Sequence, residues 1–416
     1  MANINSSQKI RHGLILLFFV ALPFERLFTL DIAGYTLKLS YVLGLIIIID
    51  ALVLLIKKHI VLTLYRDELW LLLFALLAIL TTFWSIDWKR SLVISFIIAF
   101  MAVLFYVLRR IIDLKLREKI ITVLICMGVL TSLFAIWQFF IDKTSISHFS
   151  YLRPEYSSGV FAFARVQSTF LEPLYFANFL LVPIFFCLYR LAQKPTLKYN
   201  LILLILSLAF FLTLSRGAFL ALAISLLVVG LVRLIYQRDT INKFMKQILV
   251  MIFSFILALL CVFSLAGNTG LTQFFGHTTF TDTSEQGSVA DRQSTIQVAA
   301  EQSLKHPFGI GAGAFGALPQ YKEDIPKKGY QTVNNLYLEI TVELGFLGMI
   351  LFLLFIWNYA LSLVQNFDKN KIWTIISMGL FLAFFIQYLF FSTIYIIYIW
   401  AILATLSLKS PTKLQI

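Results

Sequence analysis

Residues 38–56 read KLSYVLGLIIIIDALVLLI, an apolar run with a single internal charge at Asp50. A segment of about 20 mostly apolar residues is long enough to cross the hydrocarbon core of a bilayer as an α-helix. The chain contains many such runs, separated by short charged segments. A transmembrane β-barrel would instead show alternating segments of about ten residues. The pattern therefore predicts an all-α, polytopic integral membrane protein.

The composition agrees with this fold class. Of the 416 residues, 60% are hydrophobic and 13% are charged, whereas about 25% are charged in a typical soluble domain. We predict a single membrane domain over residues 1–416 with about twelve transmembrane helices. Their predicted bounds are 13–30, 38–56, 68–84, 91–108, 119–141, 168–189, 199–214, 217–235, 247–266, 336–361, 371–389 and 392–408. We interpret the first as a retained helix, because no small-residue cleavage site follows it.

The charge distribution predicts the orientation of the helices. The net charge is +13, but the Lys and Arg residues cluster in short loops between apolar runs. They are therefore interpreted as topology signals and not as a nucleic-acid surface. Basic residues are enriched in the loops after even-numbered helices, which predicts that both termini are cytoplasmic. Cysteines and histidines lack the spacing of a metal site.

Two segments on the opposite, outer side are too long to be simple connectors. The first long loop covers residues 142–167, and the second, between helices 9 and 10, covers residues 267–335. Loops of such length within a compact protein are usually functional or disordered. In the second loop, Ile296, Ala299, Ala300 and Leu304 follow helical spacing. They predict an amphipathic helix over residues 290–304, lying near the membrane surface.

Three arginines on the outer side are candidate binding residues. Arg216 lies at a tight turn between two apolar helices, Arg292 begins the amphipathic stretch, and Arg165 lies in the first long loop. One interpretation is that they are solvated or anchor the protein to lipid headgroups. The other is that they bind an anion, because the planar donors of Arg fit two phosphate oxygens at once.

Carboxylates and amides near the outer helix ends are candidate catalytic residues. Glu172 stands at the entrance of an apolar helix, where it either caps the helix or acts as a general base. Glu343 shares a helix face with Glu339, and structural pairing and catalysis are both open for them. Asn334 and Asn335 either cap a helix or bind substrate. The glycine-rich stretch 309–313 predicts a tight turn, because no strand precedes it as in a nucleotide-binding loop.

The order of these motifs resembles a known family. A turn, Ser215-Arg216-Gly217-Ala218, precedes Arg292, and then follow HPFGIGAG at 306–313, VNNLYLE at 333–339 and ELGFLG at 343–348. This order and spacing resemble the O-antigen ligase and polymerase superfamily of bacterial membrane glycosyltransferases. The motifs cover residues 167–351, and the helix pattern extends the resemblance to most of the chain.

The resemblance implies glycosyl transfer at the outer face of the bacterial cytoplasmic membrane. The donor would be a glycan linked to undecaprenol through diphosphate, and the acceptor a glycan or lipid, so neither metal nor cofactor is expected. A polymerase would transfer the glycan to the next lipid-linked unit, and a ligase to a different acceptor. The resemblance assigns Arg216 and Arg292 to the diphosphate. Membrane lipids and a glycan-assembly complex are the other expected partners, and nucleic acid is not.

One position departs from the family pattern. Family ligases usually place a His, the candidate base, where this chain has Asn334. An amide cannot accept a proton at neutral pH, so a role in orienting a sugar hydroxyl is assigned to Asn334. Either another residue is the base, with Glu172 the first choice and Glu343 the second, or the reaction needs little base assistance. A polymerase or divergent ligase is favoured over a lipopolysaccharide core ligase. Two alternatives stay open: a transporter or flippase, and a non-catalytic partner of a glycan-assembly complex.

Overall fold

The computed structural model describes residues 2–407, except 28, 33, 34, 58–62, 145, 159–162, 239, 240, 280–282, 326–328, 366, 368 and 369. The helices are α1 (Ala2–Ala21), α2 (Leu39–Ile56), α3 (Arg66–Thr81), α4 (Trp88–Ile111), α5 (Leu114–Ile141), α6 (Pro173–Gln193), α7 (Leu197–Leu212), α8 (Arg216–Tyr236), α9 (Ile241–Thr279), α10 (Thr283–Lys305), α11 (Leu336–Val364), α12 (Lys371–Gln387) and α13 (Ile397–Leu406). A short antiparallel hairpin joins β1 (Thr29–Ile32) to β2 (Tyr35–Lys38). Short 3₁₀ turns lie at Thr82–Trp84, Ser147–Ser150, Pro154–Tyr156, Phe315–Ala317 and Lys322–Asp324.

The predicted helical, multi-pass character is confirmed. Among the described residues, eight helices are long and apolar enough to cross a membrane: α2, α3, α4, α5, α6, α8, α9 and α11. Three further apolar helices, α7, α12 and α13, are shorter. The number of twelve spans stays a prediction, as does the side of the membrane on which each loop lies.

Several predicted helix bounds were wrong, for local reasons. The first predicted helix was to run to residue 30, but α1 ends at Ala21, shortly before Pro23. The sixth was to begin at residue 168, but α6 begins at Pro173, because proline lacks a donor and suits the first helical turn. The last begins at Ile397 instead of residue 392. In each case an apolar composition extends beyond the segment that is helical.

The chain forms two compact units. Unit 1 comprises Met1–Leu45, Asp113–Asp282 and Lys369–Phe384, and unit 2 comprises Ile46–Ile112, Thr283–Asp368 and Phe385–Ile416. In unit 1, α7 packs against α5, α6 and α9, and α1 packs against α5. At Gly128 the backbone of α5 approaches Pro183 of α6 so closely that an added Cβ would lie 2.6 Å from the proline ring.

Unit 2 is built on α3, α4 and α11, with α13 packed on α4 and α10 on α11. A buried ion-pair network joins the first turn of α3 to the last turn of α4. Arg109 lies 2.5 Å from Asp67, and Arg110 lies 2.6 Å from Glu68. Such pairing stabilises charges that lie within apolar helices.

The predicted amphipathic helix exists as part of α10, and it packs inside unit 2 through a face of small side chains. Within α10, Thr295, Ala299 and Ser303 are buried, and Ala299 packs in one cluster with Ile310, Ala314, Val333 and Val342. Leu304, one of the four residues at helical spacing, is 77% exposed. Its position at the membrane surface stays a prediction.

Parts of both predicted long loops, residues 159–162, 280–282 and 326–328, lie outside the described residues. The described remainder of the second loop is more helical than expected. It comprises the end of α9, all of α10, and an irregular segment that leads to α11.

Candidate functional site

In unit 2, a break within α11 holds the glycine-rich stretch. Gly345 has φ 74° and ψ −178°, so the helix is interrupted there. The Phe346 amide donates to the carbonyl of Pro307 at 3.0 Å, and the Gly311 amide donates to that of Glu343 at 2.9 Å. A Cβ at Gly345 would overlap the backbone of residues 307 and 308. The predicted tight turn is therefore built directly against the broken helix.

The two carboxylates of α11 are engaged by backbone amides. The Glu343 carboxylate accepts hydrogen bonds from the Gly313 amide at 2.7 Å and the Phe315 amide at 3.2 Å. One turn earlier, the Glu339 carboxylate accepts from the Val333 amide at 3.1 Å. Both ends of segment 313–333 are thus held by acidic side chains of one helix face. These bonds explain how two carboxylates are accommodated in an apolar helix.

Residues 84–91, for which the sequence predicted no role, complete this arrangement. The Arg90 side chain donates through Nε to the carbonyl of Gly313 at 2.5 Å and stacks on the Tyr330 ring at 3.5 Å. The Tyr330 hydroxyl donates to Asp87 at 3.3 Å. Asp87 also caps α4, which is a typical N-cap signal. The partners are more than 200 positions apart in the chain, so local spacing could not reveal them.

Asn334 and Arg292 lie in one part of unit 2. The Thr295 hydroxyl is 2.9 Å from the carbonyl of Arg292 and 3.4 Å from that of Val333. Asn334 follows with φ 59°, and its amide N–H donates to Ser392 at 3.0 Å. Asn335 caps α11, because its side chain accepts from the Leu338 amide at 3.1 Å. The capping interpretation therefore holds for Asn335, while the Asn334 side chain makes no such cap.

In unit 1, the segment that leads to α6 is held by a buried amide. The Gln138 side chain donates to the carbonyl of Ser168 at 3.2 Å and accepts from its amide at 2.8 Å. The Ser168 hydroxyl donates to the carbonyl of Thr131 at 2.8 Å. Ser168 has φ 52° and is fully buried. Ser168 is thus strained, but its amide, carbonyl and hydroxyl groups all form hydrogen bonds. These bonds fix the path of the chain toward Glu172.

Glu172 occupies the N-cap position of α6, but its side chain makes no capping hydrogen bond. Tyr156 lies close to it. Burial raises the pKa of the Tyr156 hydroxyl, and the negative charge of Glu172 acts in the same direction, while Arg165 opposes it. The capping interpretation is therefore not supported for Glu172, and the carboxylate has a protonated hydroxyl as its neighbour.

The first long loop also lies beside the turn that carries Arg216. The Val166 amide donates to the carbonyl of Leu212 at 3.4 Å, and the Arg165 amide donates to that of Tyr156 at 2.9 Å. Arg216 is the first residue of α8 and is exposed. Unit 1 therefore brings Arg165 and the turn before Arg216 together.

Backbone strain accompanies the predicted site residues. Among the described residues, the non-glycine residues with positive φ are Tyr151, Ser168, Leu214 and Asn334. Ser168 precedes Glu172, Leu214 precedes Arg216, and Asn334 is itself a predicted site residue. Such conformations cost about 1–3 kcal/mol each and cluster at functional sites. The strain supports the choice of these segments independently of the residue types.

Fold and site together define a multi-pass helical membrane protein whose polar residues concentrate at helix ends and in two long loops. Residues 201–353 match the family model described as O-antigen ligase. The match includes Arg216, Arg292, Asn334 and Glu343, and it confirms the resemblance to the O-antigen ligase and polymerase superfamily. No curated protein matches the chain.

Proposed function

We propose that this protein transfers a glycan from an undecaprenyl-diphosphate-linked donor to an acceptor hydroxyl, as a polysaccharide polymerase or ligase. The family match over residues 201–353 carries the proposal, because it spans both Arg216 and Arg292. The basic residues of the predicted inner loops support an active site on the outer face of the bacterial cytoplasmic membrane, with both termini inside. The same proposal holds that the transfer requires neither a metal nor a cofactor.

Arg216 and Arg292 are proposed to bind the donor diphosphate. During transfer, the acceptor oxygen forms a bond to the anomeric carbon while the bond from that carbon to the diphosphate oxygen breaks. The diphosphate leaves with the electron pair and gains negative charge. Fixed guanidinium donors stabilise that charge in the transition state. Arg165, which lies near Tyr156, is proposed as a further substrate contact.

Glu172 is proposed as the general base that takes the proton from the acceptor hydroxyl. Its carboxylate lies near the hydroxyl of Tyr156 and does not cap α6. Glu343, the second choice, accepts two backbone hydrogen bonds with its carboxylate, which favours a positioning role. The side chain of Asn334 is proposed to orient a sugar hydroxyl, and Asn335 to fix the start of α11.

The proposal is tested by reconstitution. Protein in nanodiscs receives native undecaprenyl-diphosphate-linked units, and the products are followed by gel electrophoresis and mass spectrometry. A ladder of lengthening lipid-linked glycans identifies a polymerase, and a single transfer to a separately supplied acceptor identifies a ligase. No turnover with native donor and acceptor overturns the enzymatic proposal in favour of transport or a partner role.

The arginine assignment has its own test in the same assay. Arg216→Ala and Arg292→Ala are each expected to lower turnover by about 10²–10³-fold, the range for loss of one transition-state donor. Arg238→Ala and Lys305→Ala, which remove exposed cations after α8 and at the end of α10, serve as matched controls. Normal turnover in both of the first two variants contradicts the assignment.

A further inference from the structure

Two arginines of unit 1, Arg26 and Arg153, lie outside residues 201–353, which match the family model. Arg26 follows α1, and its Nη1 donates to the carbonyl of Tyr151 at 2.7 Å. Its guanidinium also stacks on the Tyr151 ring at 4.1 Å. Gln167, in the side-chain orientation that satisfies its hydrogen bonds, accepts from Arg26 and from the Arg153 amide. Tyr151 and Gln167 therefore hold Arg26 beside Arg153.

The two guanidinium groups repel one another. Burial lowers the pKa of Arg26, and the positive charge of Arg153 acts in the same direction. Glu155 compensates in part, since it lies 2.9 Å from Arg153, but both side chains of this pair are more than 40% exposed. An anion with two charges, placed against both arginines, would relieve the repulsion and gain bidentate hydrogen bonds.

An apolar cavity of about 390 Å³ adjoins the pair. Tyr151 joins the two features, because its ring contacts Arg26 and also lines the cavity. The remaining walls include Phe24, Leu27, Met127, Leu130 and Phe134. A doubly cationic end and an apolar interior match an amphiphile with a dianionic head and a hydrocarbon chain.

We propose that this site binds the acceptor substrate as a lipid diphosphate, with the diphosphate on Arg26 and Arg153 and the first isoprene units in the cavity. The proposal rests on the proposed function, which assigns the donor diphosphate to other arginines. An ordinary phospholipid carries one phosphate and fits two adjacent guanidinium groups less well. A lipid-diphosphate acceptor is the substrate of a polymerase and not of a ligase, so the site favours polymerisation.

The test counts bound lipids and does not require turnover. Protein in phosphatidylcholine nanodiscs is loaded with undecaprenyl diphosphate, and the bound molecules are counted by native mass spectrometry. The wild type is expected to bind two. Arg216→Ala and the double variant Arg26→Gln/Arg153→Gln are each expected to bind one, and the triple variant none.

The outcomes separate this proposal from the proposed function. A single lipid in the wild type that Arg216→Ala removes leaves the donor assignment intact and overturns the acceptor site. Two lipids retained by Arg26→Gln/Arg153→Gln also overturn it. If neither the wild type nor any variant binds lipid, the donor assignment itself is overturned. If excess phosphatidylglycerol displaces the second lipid, the site binds ordinary anionic phospholipid and the acceptor proposal fails.

Further variants separate binding from folding. Arg26→Lys/Arg153→Lys keeps both charges and is expected to retain the second lipid with weaker binding. Leu130 lines the cavity and is 59% exposed, so Leu130→Trp is expected to fill the cavity and remove the second lipid without changing charge. Lys119→Gln removes an exposed cation two turns before the cavity on the same helix and should leave both lipids. Retention of both lipids by Leu130→Trp excludes the cavity as the chain site.

Discussion

Two segments are held in place by different kinds of side chain: residues 165–172 in unit 1 and residues 309–315 in unit 2. Each is an irregular stretch whose backbone is held by a polar side chain from a helix. In unit 1 the neutral amide of Gln138 both donates to and accepts from Ser168. In unit 2 the carboxylate of Glu343 accepts from two amides, and glycines with positive φ let the chain approach it.

The difference lies in the role that the nearby carboxylate has in each segment. In unit 2 the acidic side chain itself holds the backbone, through two of the roughly four hydrogen bonds that a carboxylate can accept. In unit 1 an amide does this, and the nearby acidic residue, Glu172, makes no capping hydrogen bond. We therefore propose catalysis for the segment held by an amide and positioning for the segment held by a carboxylate.

The largest expected effect is on the rate of a Glu172→Gln variant. Loss of a general base lowers kcat by about 10²–10⁴-fold. The melting temperature should stay close to the wild-type value, because glutamine keeps the shape of the side chain and one of its oxygens, and the Glu172 side chain does not cap α6. The rate is measured by transfer assays in nanodiscs, and the melting temperature by thermal unfolding of the same sample. A full rate, or a loss of stability that explains the lower rate, would break the contrast with Glu343.

Glu343→Ala should show the reverse pattern, with a loss of stability first. It leaves the amides of Gly313 and Phe315 without their acceptor, and an unsatisfied buried donor costs about 1–3 kcal/mol. We expect destabilisation of about 2–5 kcal/mol in detergent. The stability of Glu343→Gln, which keeps one side-chain oxygen, should lie between those of the wild type and Glu343→Ala. Wild-type stability of Glu343→Ala would show that the amides find other acceptors.

Two glycines of the second loop give a smaller, matched comparison. Gly311 and Gly329 have φ 109° and 76°, so an L-residue is strained at either position, by about 1–2 kcal/mol. At Gly311 a Cβ would overlap the Ser85 hydroxyl, whereas at Gly329 it would meet nothing within 4 Å. Gly311→Ala should therefore destabilise by about 1–3 kcal/mol more than Gly329→Ala. Equal melting temperatures would contradict the close packing of segment 309–315.

The smallest effect is expected for Ser168→Gly in unit 1. Relief of the positive φ favours the variant by about 1 kcal/mol, and loss of the hydroxyl bond to Thr131 opposes it by about 1 kcal/mol. The free energy of unfolding should change by less than about 1 kcal/mol. A large destabilisation would mean that the hydroxyl, and not the Gln138 amide, holds this segment.

The sequence predicted helices best where an apolar run was bounded by charge. Residues 38–56 were predicted as a helix, and α2 covers Leu39–Ile56. The helix prediction was wrong beyond Ala21, where apolar residues continue but the helix does not. An apolar run indicates burial and does not by itself determine the backbone conformation. The helical spacing of α10 did not reveal that this helix packs on α11, because that contact depends on tertiary structure.

For the site, the sequence identified residues but not their partners. The motif order led to Arg216, Arg292 and the carboxylates of α11. The backbone amides that engage Glu343 lie about 30 positions away, and the Arg90 contact to Gly313 spans 223 positions. Such pairs depend on how the helices pack, which local spacing does not encode. The roles of the candidate residues stay predictions.

The break at Gly345 also limits where this chain can change in length. Amides at 310 and 311 pair with carbonyls at 342 and 343, and the amide at 346 pairs with the carbonyl at 307. One residue inserted between 307 and 311 would shift these pairs out of register. An insertion at Gly329, where no atom lies within 4 Å of an added Cβ, should be tolerated. An epitope tag placed there would report, by antibody access in intact cells, the side of the membrane that the loop faces.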